Sequence, residues 1–339
     1  MGLEVHVERK RFVVVAVGGA CVASIWALAS CVGDTADKPP PDSGTSDVQA
    51  FDSGVDAAND AAADAQQDAV GDAGCDLAKP FIKASVTNIS SAQSEDGMWV
   101  LPNQTKAYVS AIRDGGGGDY DIFNVTRSSA AVDWPALTPS PNLNPLITTA
   151  PQRNPLVTDD DLVMLYSQQG GNFDIMQTTR PSIATSWTTP VAAPGLNGTT
   201  NDSVTWLSGD GLAVYWSSDR NGNFDLFYAT RTNVAATFTN IQTVNDLNSP
   251  SGEGSLVVTS DGLRAYFASN RSPSANDDIW TSTRPTKNSP WSTPVAVTEL
   301  NGPSGNQEPT WVSADGCTLY YAQSGAGGYD LFVATKPPK

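Results

Sequence analysis

The sequence predicts an all-β fold, and three sets of landmarks that recur about every 52 residues predict it. The first landmark is an aromatic residue that opens an extended stretch: Phe81, Trp134, Trp187, Phe238 and Trp291. The second is an apolar residue followed by a small polar one, as in Ile89-Ser90, Leu143-Asn144, Leu196-Asn197, Leu247-Asn248 and Leu300-Asn301. The third is an Asp, an aliphatic residue and a large apolar one. It occurs at Asp121-Ile122-Phe123, Asp174-Ile175-Met176, Asp225-Leu226-Phe227, Asp278-Ile279-Trp280 and Asp330-Leu331-Phe332. Six residues beyond each of these Asp stands a cation: Arg127, Arg180, Arg231, Arg284 and Lys336.

The units run over about 79–131, 132–184, 185–236, 237–288 and 289–339. Within each, Asp-Gly turns such as Asp210-Gly211, Asp261-Gly262 and Asp315-Gly316 precede runs rich in Tyr, Val and Leu. Glycine supplies the positive φ of a tight hairpin without steric cost, so these are strand-to-strand turns. A second, Gly-rich turn follows at Gly115 to Gly118, Gly170-Gly171, Asn221-Gly222 and Gly325 to Gly328. Four short strands per unit result, here lettered A to D from the inside outward. Nothing in the pattern has helical periodicity. Four-stranded antiparallel units repeated in a closed ring make a five-bladed β-propeller, and closure protects the sheet edges; a six-bladed ring is the alternative count. The last unit ends soon after its C strand, whereas Phe81 to Val86 bears the D-strand landmark before any A strand. The N-terminal strand is therefore expected to complete the last blade.

The stretches Leu207 to Arg231 and Val258 to Arg271 resemble the repeat of TolB-type, WD-repeat-like propellers. The resemblance covers residues 79–337 and is strongest in units three to five. In units one and two Asn103-Gln104 and Asp160-Asp161 stand where Asp-Gly is expected. TolB-like proteins carry six blades and an additional α/β domain, for which this chain has no room. The resemblance thus implies the fold and not TolB's partners.

The segment before the repeats has a different character. Arg9, Lys10 and Arg11 precede an uncharged apolar run from Phe12 to Ala29, the order of a secretory signal peptide over residues 1–30. The run ends in Leu28-Ala29-Ser30-Cys31, which resembles the bacterial lipobox; the resemblance implies lipidation at Cys31. With Val32 rather than Asp after that Cys, the segment resembles lipoproteins sent to the outer membrane, and the resemblance implies a location there, facing the periplasm or the cell surface. Residues 31–78 form an Asp- and Ala-rich tether with Pro39-Pro40-Pro41 near its start. So little apolar surface cannot offset the entropy of ordering, and the tether is expected to act as a spacer.

Charge and composition remove several function classes. Of the net charge of −17, the stretch from Val32 to Asp76 carries −10, through eleven Asp and one Lys. The repeats are mildly acidic and contain no basic stripe, so no nucleic-acid partner is expected. The only histidine, His6, lies in the signal segment. Histidine-dependent nucleophile systems and imidazole metal sites are therefore not expected, nor any metal or cofactor. Cys75 and Cys317 remain after Cys21 leaves with the signal and Cys31 takes the lipid. In an oxidising compartment these two form either a disulfide that clamps the ring closure or two free thiols. Strands B and D are ~9–10 Å apart across C, so a bond requires the segment before Phe81 to fold back.

Strand order places the B-to-C and D-to-A loops on one face of the ring. That face is expected to carry Asp121, Asp174, Asp225, Asp278 and Asp330, each serving its own turn as a structural acceptor. It also carries less regular acids, Glu95, Asp202, Glu253 and Glu308, which are the better candidates for binding. The cations Arg127 to Lys336 end strand C at the opposite face, where they are expected to pair with Asp210, Asp261 and Asp315. The aromatic landmarks are expected to pack between outer strands, and Trp99, Trp206 and Trp311 to wedge between blades.

No catalytic residue is singled out, since the units differ little in length and no long insertion surrounds one pocket. The expected function is a monomeric, lipid-anchored envelope propeller that binds an envelope protein or polymer through its loop-bearing face. A carboxylate-dependent glycan-active enzyme and a multisite lectin are the alternatives.

Overall fold

The computed structural model describes residues 74–113, 119–138, 143, 146 and 148–339. The signal peptide, Cys31, most of the tether, Gly115 to Gly118 and Asn144 lie outside the described residues. Within them no α-helix occurs, and the strands form five antiparallel sheets arranged as a five-bladed β-propeller.

The first strand, β1 (Ile82–Ser85), does not belong to the first blade. That blade is β2 (Glu95–Val100), β3 (Lys106–Ile112) and β4 (Tyr120–Thr126), with an isolated bridge from Asn124 to Thr138 in the outer position. Blade two is β5 (Gln152–Val157), β6 (Val163–Gln169), β7 (Phe173–Thr179) and β8 (Val191–Ala192). Blade three is β9 (Asp202–Leu207), β10 (Ala213–Ser218), β11 (Asp225–Thr230) and β12 (Thr239–Thr243). Blade four is β13 (Glu253–Val258), β14 (Arg264–Ser269), β15 (Asp278–Thr283) and β16 (Val295–Ala296). Blade five is β17 (Gln307–Val312), β18 (Thr318–Gly325) and β19 (Gly328–Thr335), completed by β1. Ile82 lies opposite Thr335 and Ser85 opposite Phe332, so the two ends of the ring meet in one sheet, as the landmark order predicts.

The chain continues this pairing outward. Cys75 bridges to Pro338, and the Asp76 amide donates to the Pro337 carbonyl at 2.8 Å. Cys75 thereby reaches Cys317, with Cα atoms 5.7 Å apart and a disulfide between them. The fold-back is achieved by extending the last strand beyond Thr335.

The A-to-B turn survives in every blade. Gly211, Gly262 and Gly316 all have φ of 71°, and Gln104 and Asp161 take φ of 55° and 60° at the same place. The turn geometry is imposed by the flanking ladder, so the loss of glycine in units one and two changes its cost and not its shape.

The landmark cations do not pair with Asp210, Asp261 and Asp315, contrary to expectation. Those acids are already satisfied: their Oδ1 atoms accept from the amides of Leu212, Leu263 and Cys317 and from the hydroxyls of Ser208, Thr259 and Ser313. Instead the Nε of Arg127, Arg180, Arg231 and Arg284 donates at 2.7 Å to the carbonyl of the turn in its own blade. Their guanidinium planes lie 4.0–4.4 Å from the rings of Trp134, Trp187, Phe238 and Trp291, and Lys336 lies 3.9 Å from the ring of Phe81. The two landmarks are one device, a cation stacked on the buried aromatic that opens the outer strand.

Neighbouring blades then lock onto this device. Tyr108 donates to Asp161 of blade two at 2.8 Å, and the Trp134 indole of blade one donates to Tyr320 of blade five at 2.9 Å. Trp99 and Trp206 donate to the Val157 and Val258 carbonyls of the following blades, both at 2.8 Å, so these two do wedge between blades. Blade two has Leu165 where the others have tyrosine, and Gln177 takes over by accepting from Arg231 of blade three at 2.6 Å.

Candidate functional site

The expected binding face carries the B-to-C and D-to-A loops. On it Asp225 accepts from Asn221 in its own turn at 3.1 Å. Asp121 and Asp278 each keep one buried oxygen without a partner among the described residues. The loops are fixed instead by the second landmark. Asn197, Asn248 and Asn301 each accept from a strand-C amide at 2.8 Å, and each donates back to the carbonyl of that same residue. Ser90 takes the same position against Leu331.

Three of the four candidate acids lie inside the loops. Glu95, Asp202 and Glu253 are at most 1 % exposed and occupy the first position of the inner strand in blades one, three and four. Each accepts a loop amide, from Ser91, Gly198 and Ser249, and each pairs with an arginine of the B-to-C loop: Arg113, Arg220 and Arg271. The arginines reach on to the carbonyls of Ile89, Leu196 and Leu247, tying the two loops together. Blades two and five have Gln152 and Gln307 at the acid position and Gly170 and Gly325 at the arginine position. Those glutamines bond within their own D-to-A loop, Gln152 to Thr148 and Ala150, Gln307 to Gly302 and Gly305. A constant interval of 18 residues links each acid to its arginine. That interval is the sequence signal for a structural pair, and it is legible only when the arginines are set beside the acids.

One residue further along each inner strand the blades diverge. The five equivalent positions hold Asp96, Arg153, Ser203, Gly254 and Glu308. Arg153, Ser203, Gly254 and Glu308 sit just above a bulge in their inner pairs, where Asn154 and Ser255 take positive φ, whereas in blade one the bulge falls at Asp96 itself. Bulges re-aim side chains, and here they gather at the channel mouth. Below them the inner strands close on a cavity of about 20 Å³, room for about one water.

The mouth has two unlike halves. In one, Asp96 accepts from Ser110 at 2.6 Å and pairs with Arg153 at 3.1 Å. The Arg153 guanidinium lies 3.9 Å from the ring of Tyr120 and 6.0 Å from that of Phe173. Burial pushes the Asp96 carboxyl up to about 6, and Glu308 adds to the rise against the opposing pull of Arg153 and Ser110. In the other half, Glu308 is half-buried and accepts from the Tyr329 hydroxyl at 2.6 Å and from Ser255 at 3.1 Å. Asn306 holds Tyr329 from behind at 3.2 Å. Asp277, from the long B-to-C loop of blade four, is pushed up to about 6 by burial first and then by Glu308. Burial and Glu308 likewise raise Tyr329, so its hydroxyl keeps its proton. Among the described residues no cation pairs with Glu308 or Asp277.

Of the sequence candidates, then, Glu308 alone stands at the mouth. Asp96, Arg153, Asp277 and Tyr329 were missed because none belongs to a repeated landmark; departure from the repeat was the signal. Among the described residues no group of acidic, cysteine or histidine side chains is arranged to hold a metal ion, and no helix is long and apolar enough to cross a membrane.

No protein-family model matches the chain, and no curated protein matches it in sequence. Solved structures are similar in chain path. TolB from Acinetobacter baumannii matches at 13 % identity and a TM-score of 0.46, over 74 % of this chain and 57 % of that one. This chain thus spans little more than half of that protein's length. An α-L-arabinofuranosidase from Podospora anserina, in complex with cellotriose, matches at 16 % identity and a TM-score of 0.49, over 78 % of this chain and 98 % of that one. A putative glycoside hydrolase from Parabacteroides distasonis matches at 14 % identity and 0.49, over 77 % and 92 %. At these identities the likeness concerns the fold and carries no activity across.

Proposed function

We propose that this chain is an exported, lipid-anchored envelope propeller that binds a basic segment of another envelope protein at the loop-face mouth of its channel. The observation that supports the reading is the unlike charge at the repeat position that faces the channel mouth. Asp96, Arg153, Ser203, Gly254 and Glu308 occupy equivalent places in the sequence repeat with an acid, a cation, a hydroxyl, no side chain and an acid, whereas the outer aromatic and the cation stacked on it recur in all five blades. Arg153 illustrates the ligand chemistry this mouth suits: a guanidinium against a carboxylate and an aromatic ring. The half formed by Glu308, Asp277 and Tyr329 offers similar groups with no cation of its own.

A titration with a set of short fluorescent peptides, neutral or bearing Lys or Arg, tests the site by anisotropy. Basic members should bind, and Glu308→Gln should weaken them at least tenfold. Equal binding of neutral peptides, or indifference to Glu308→Gln, refutes the reading. The anchor is tested separately: Cys31→Ser should move the protein from the membrane to the soluble envelope fraction.

A glycan-active enzyme is the second reading, favoured by one observation: a carboxyl raised to about 6, Asp96, lies where a second acid, Glu308, adds to its rise at a channel mouth. Against it, Asp96 is held by Arg153 and Ser110, and the space beneath the mouth is too small for a sugar ring. Release of sugar from aryl glycosides that disappears in Glu308→Gln would reverse this preference.

A further inference from the structure

A second concavity lies away from the charged mouth. A depression of about 1450 Å³ opens on the opposite face, where the A-to-B turns surround the channel, and it extends outward between blades three and four. The outward branch has a lining found at no other blade boundary. Tyr228 on β11, Tyr215 on β10 and Trp206 on β9 lie opposite one another in the ladder. Their rings form a radial row, with Tyr228 and Tyr215 centred 4.7 Å apart and Tyr215 and Trp206 5.7 Å apart. Tyr215 is buried, while Trp206 and Tyr228 at the two ends are half-exposed.

The same three register positions read Asn124, Tyr108 and Trp99 in blade one, and Gln177, Leu165 and Leu156 in blade two. They read Thr281, Tyr266 and Val257 in blade four, and Val333, Tyr320 and Trp311 in blade five. Inter-blade packing therefore needs at most the inner two aromatics. Tyr228 exceeds that need: the fold is built four times without an aromatic there.

Polar groups surround this row. Arg284 and Lys287 of blade four line the branch, and among the described residues neither is in an ion pair. Gln242 and Asp246 line it from blade three, and both are exposed. Arg284 already donates to the Gly262 carbonyl and Asp246 accepts from the Trp291 amide, each with further polar atoms; half-exposed aromatic faces bordered by such polar side chains suit a ligand that has apolar C–H faces and hydroxyl edges at once. We infer that the branch between blades three and four binds a saccharide, with pyranose faces on Trp206 and Tyr228 and hydroxyls toward Arg284, Lys287, Gln242 and Asp246. The site lies on the face opposite Glu308 and does not depend on what the mouth binds.

Co-sedimentation of the full chain with insoluble polymers tests this. Purified peptidoglycan sacculi represent the envelope's own glycan, and chitin and cellulose represent external sources. The protein should sediment with at least one of the three. Tyr228→Thr, which installs the residue that blade four uses at this position, should lower the bound fraction at least tenfold with little change in Tm. Tyr228→Phe, which keeps the ring, should lose no more than about threefold, and Gln242→Ala should weaken binding without touching the aromatic row. Glu308→Gln should leave sedimentation unchanged. Failure to sediment with all three polymers, or equal sedimentation of wild type and Tyr228→Thr, overturns the inference.

Discussion

Two residues show how local chemistry departs from the repeat. Gln104 holds φ of 55° where three blades have glycine, a conformation that costs a side-chain-bearing residue ~1 kcal/mol. Gln104→Gly should therefore stabilise the protein by up to about 1 kcal/mol in chemical denaturation. Asp161, at the same place in blade two, also bears φ of 60°, but it accepts from Tyr108 and pairs with Lys106 and Arg180. Asp161→Gly should destabilise, because relief of the backbone is outweighed by three abandoned partners in a buried setting. The Asp96 carboxyl supplies a pH test. Its folded value of about 6 lies above the ordinary 3.8, so between those values the folded state holds more protons than the unfolded. Stability attributable to Asp96 is then greatest below pH 4, falls as pH rises toward 6, and is flat above, a change on the order of 2–3 kcal/mol. Asp96→Asn should flatten that slope in unfolding measured from pH 4 to 7; an unaltered slope would place its origin elsewhere.

At the scale of strands and loops, the acid–arginine pairs are the informative element. Asp202 is fully buried, so Arg220→Ala strands a charge and should cost ~3–5 kcal/mol. The double change Asp202→Gln with Arg220→Gly reproduces what blades two and five contain, Gln152 with Gly170 and Gln307 with Gly325, and should recover most of that loss. Equal destabilisation by the single and double variants would show that the blades are not interchangeable here. This element also marks how far the sequence could be read. The strand order and the ring closure followed from period, turn residues and landmark order, because hairpins and pleats are local and repeat with the chain. The cation-on-aromatic stacking of Arg180 with Trp187 joined two landmarks that were visible separately, but pairing them needs the third dimension. Asp96 and Arg153 were illegible for a different reason: they lie in different blades, 57 residues apart, and meet only because the ring brings neighbouring inner strands together.

For the whole molecule, the decisive contact is where the ring shuts. Unlike the inner strands, β1 is four residues long and exposed along its length, so its own burial contributes little. What holds it is the ladder to β19, Phe81 packed at its start against Tyr266 and Lys336, and the disulfide from Cys75 to Cys317. That bond closes a loop of 242 residues, almost the entire propeller. In the chain-entropy model so long a loop is worth ~5 kcal/mol, and removing a native disulfide commonly costs about 2–5. Cys75→Ser with Cys317→Ser should therefore lower unfolding free energy by about that range. The loss should be uneven across the molecule. Without the bond, β1 can leave β19 without opening any other blade, so the amides of Ile82 to Ser85 should exchange with solvent far sooner, while those of β10 and β14 change little. Hydrogen exchange read by mass spectrometry on the oxidised and the double-serine proteins distinguishes this from a uniform loss. Uniform acceleration in all five blades would mean that the ring opens as one unit and that the bond guards the whole circle, not its seam.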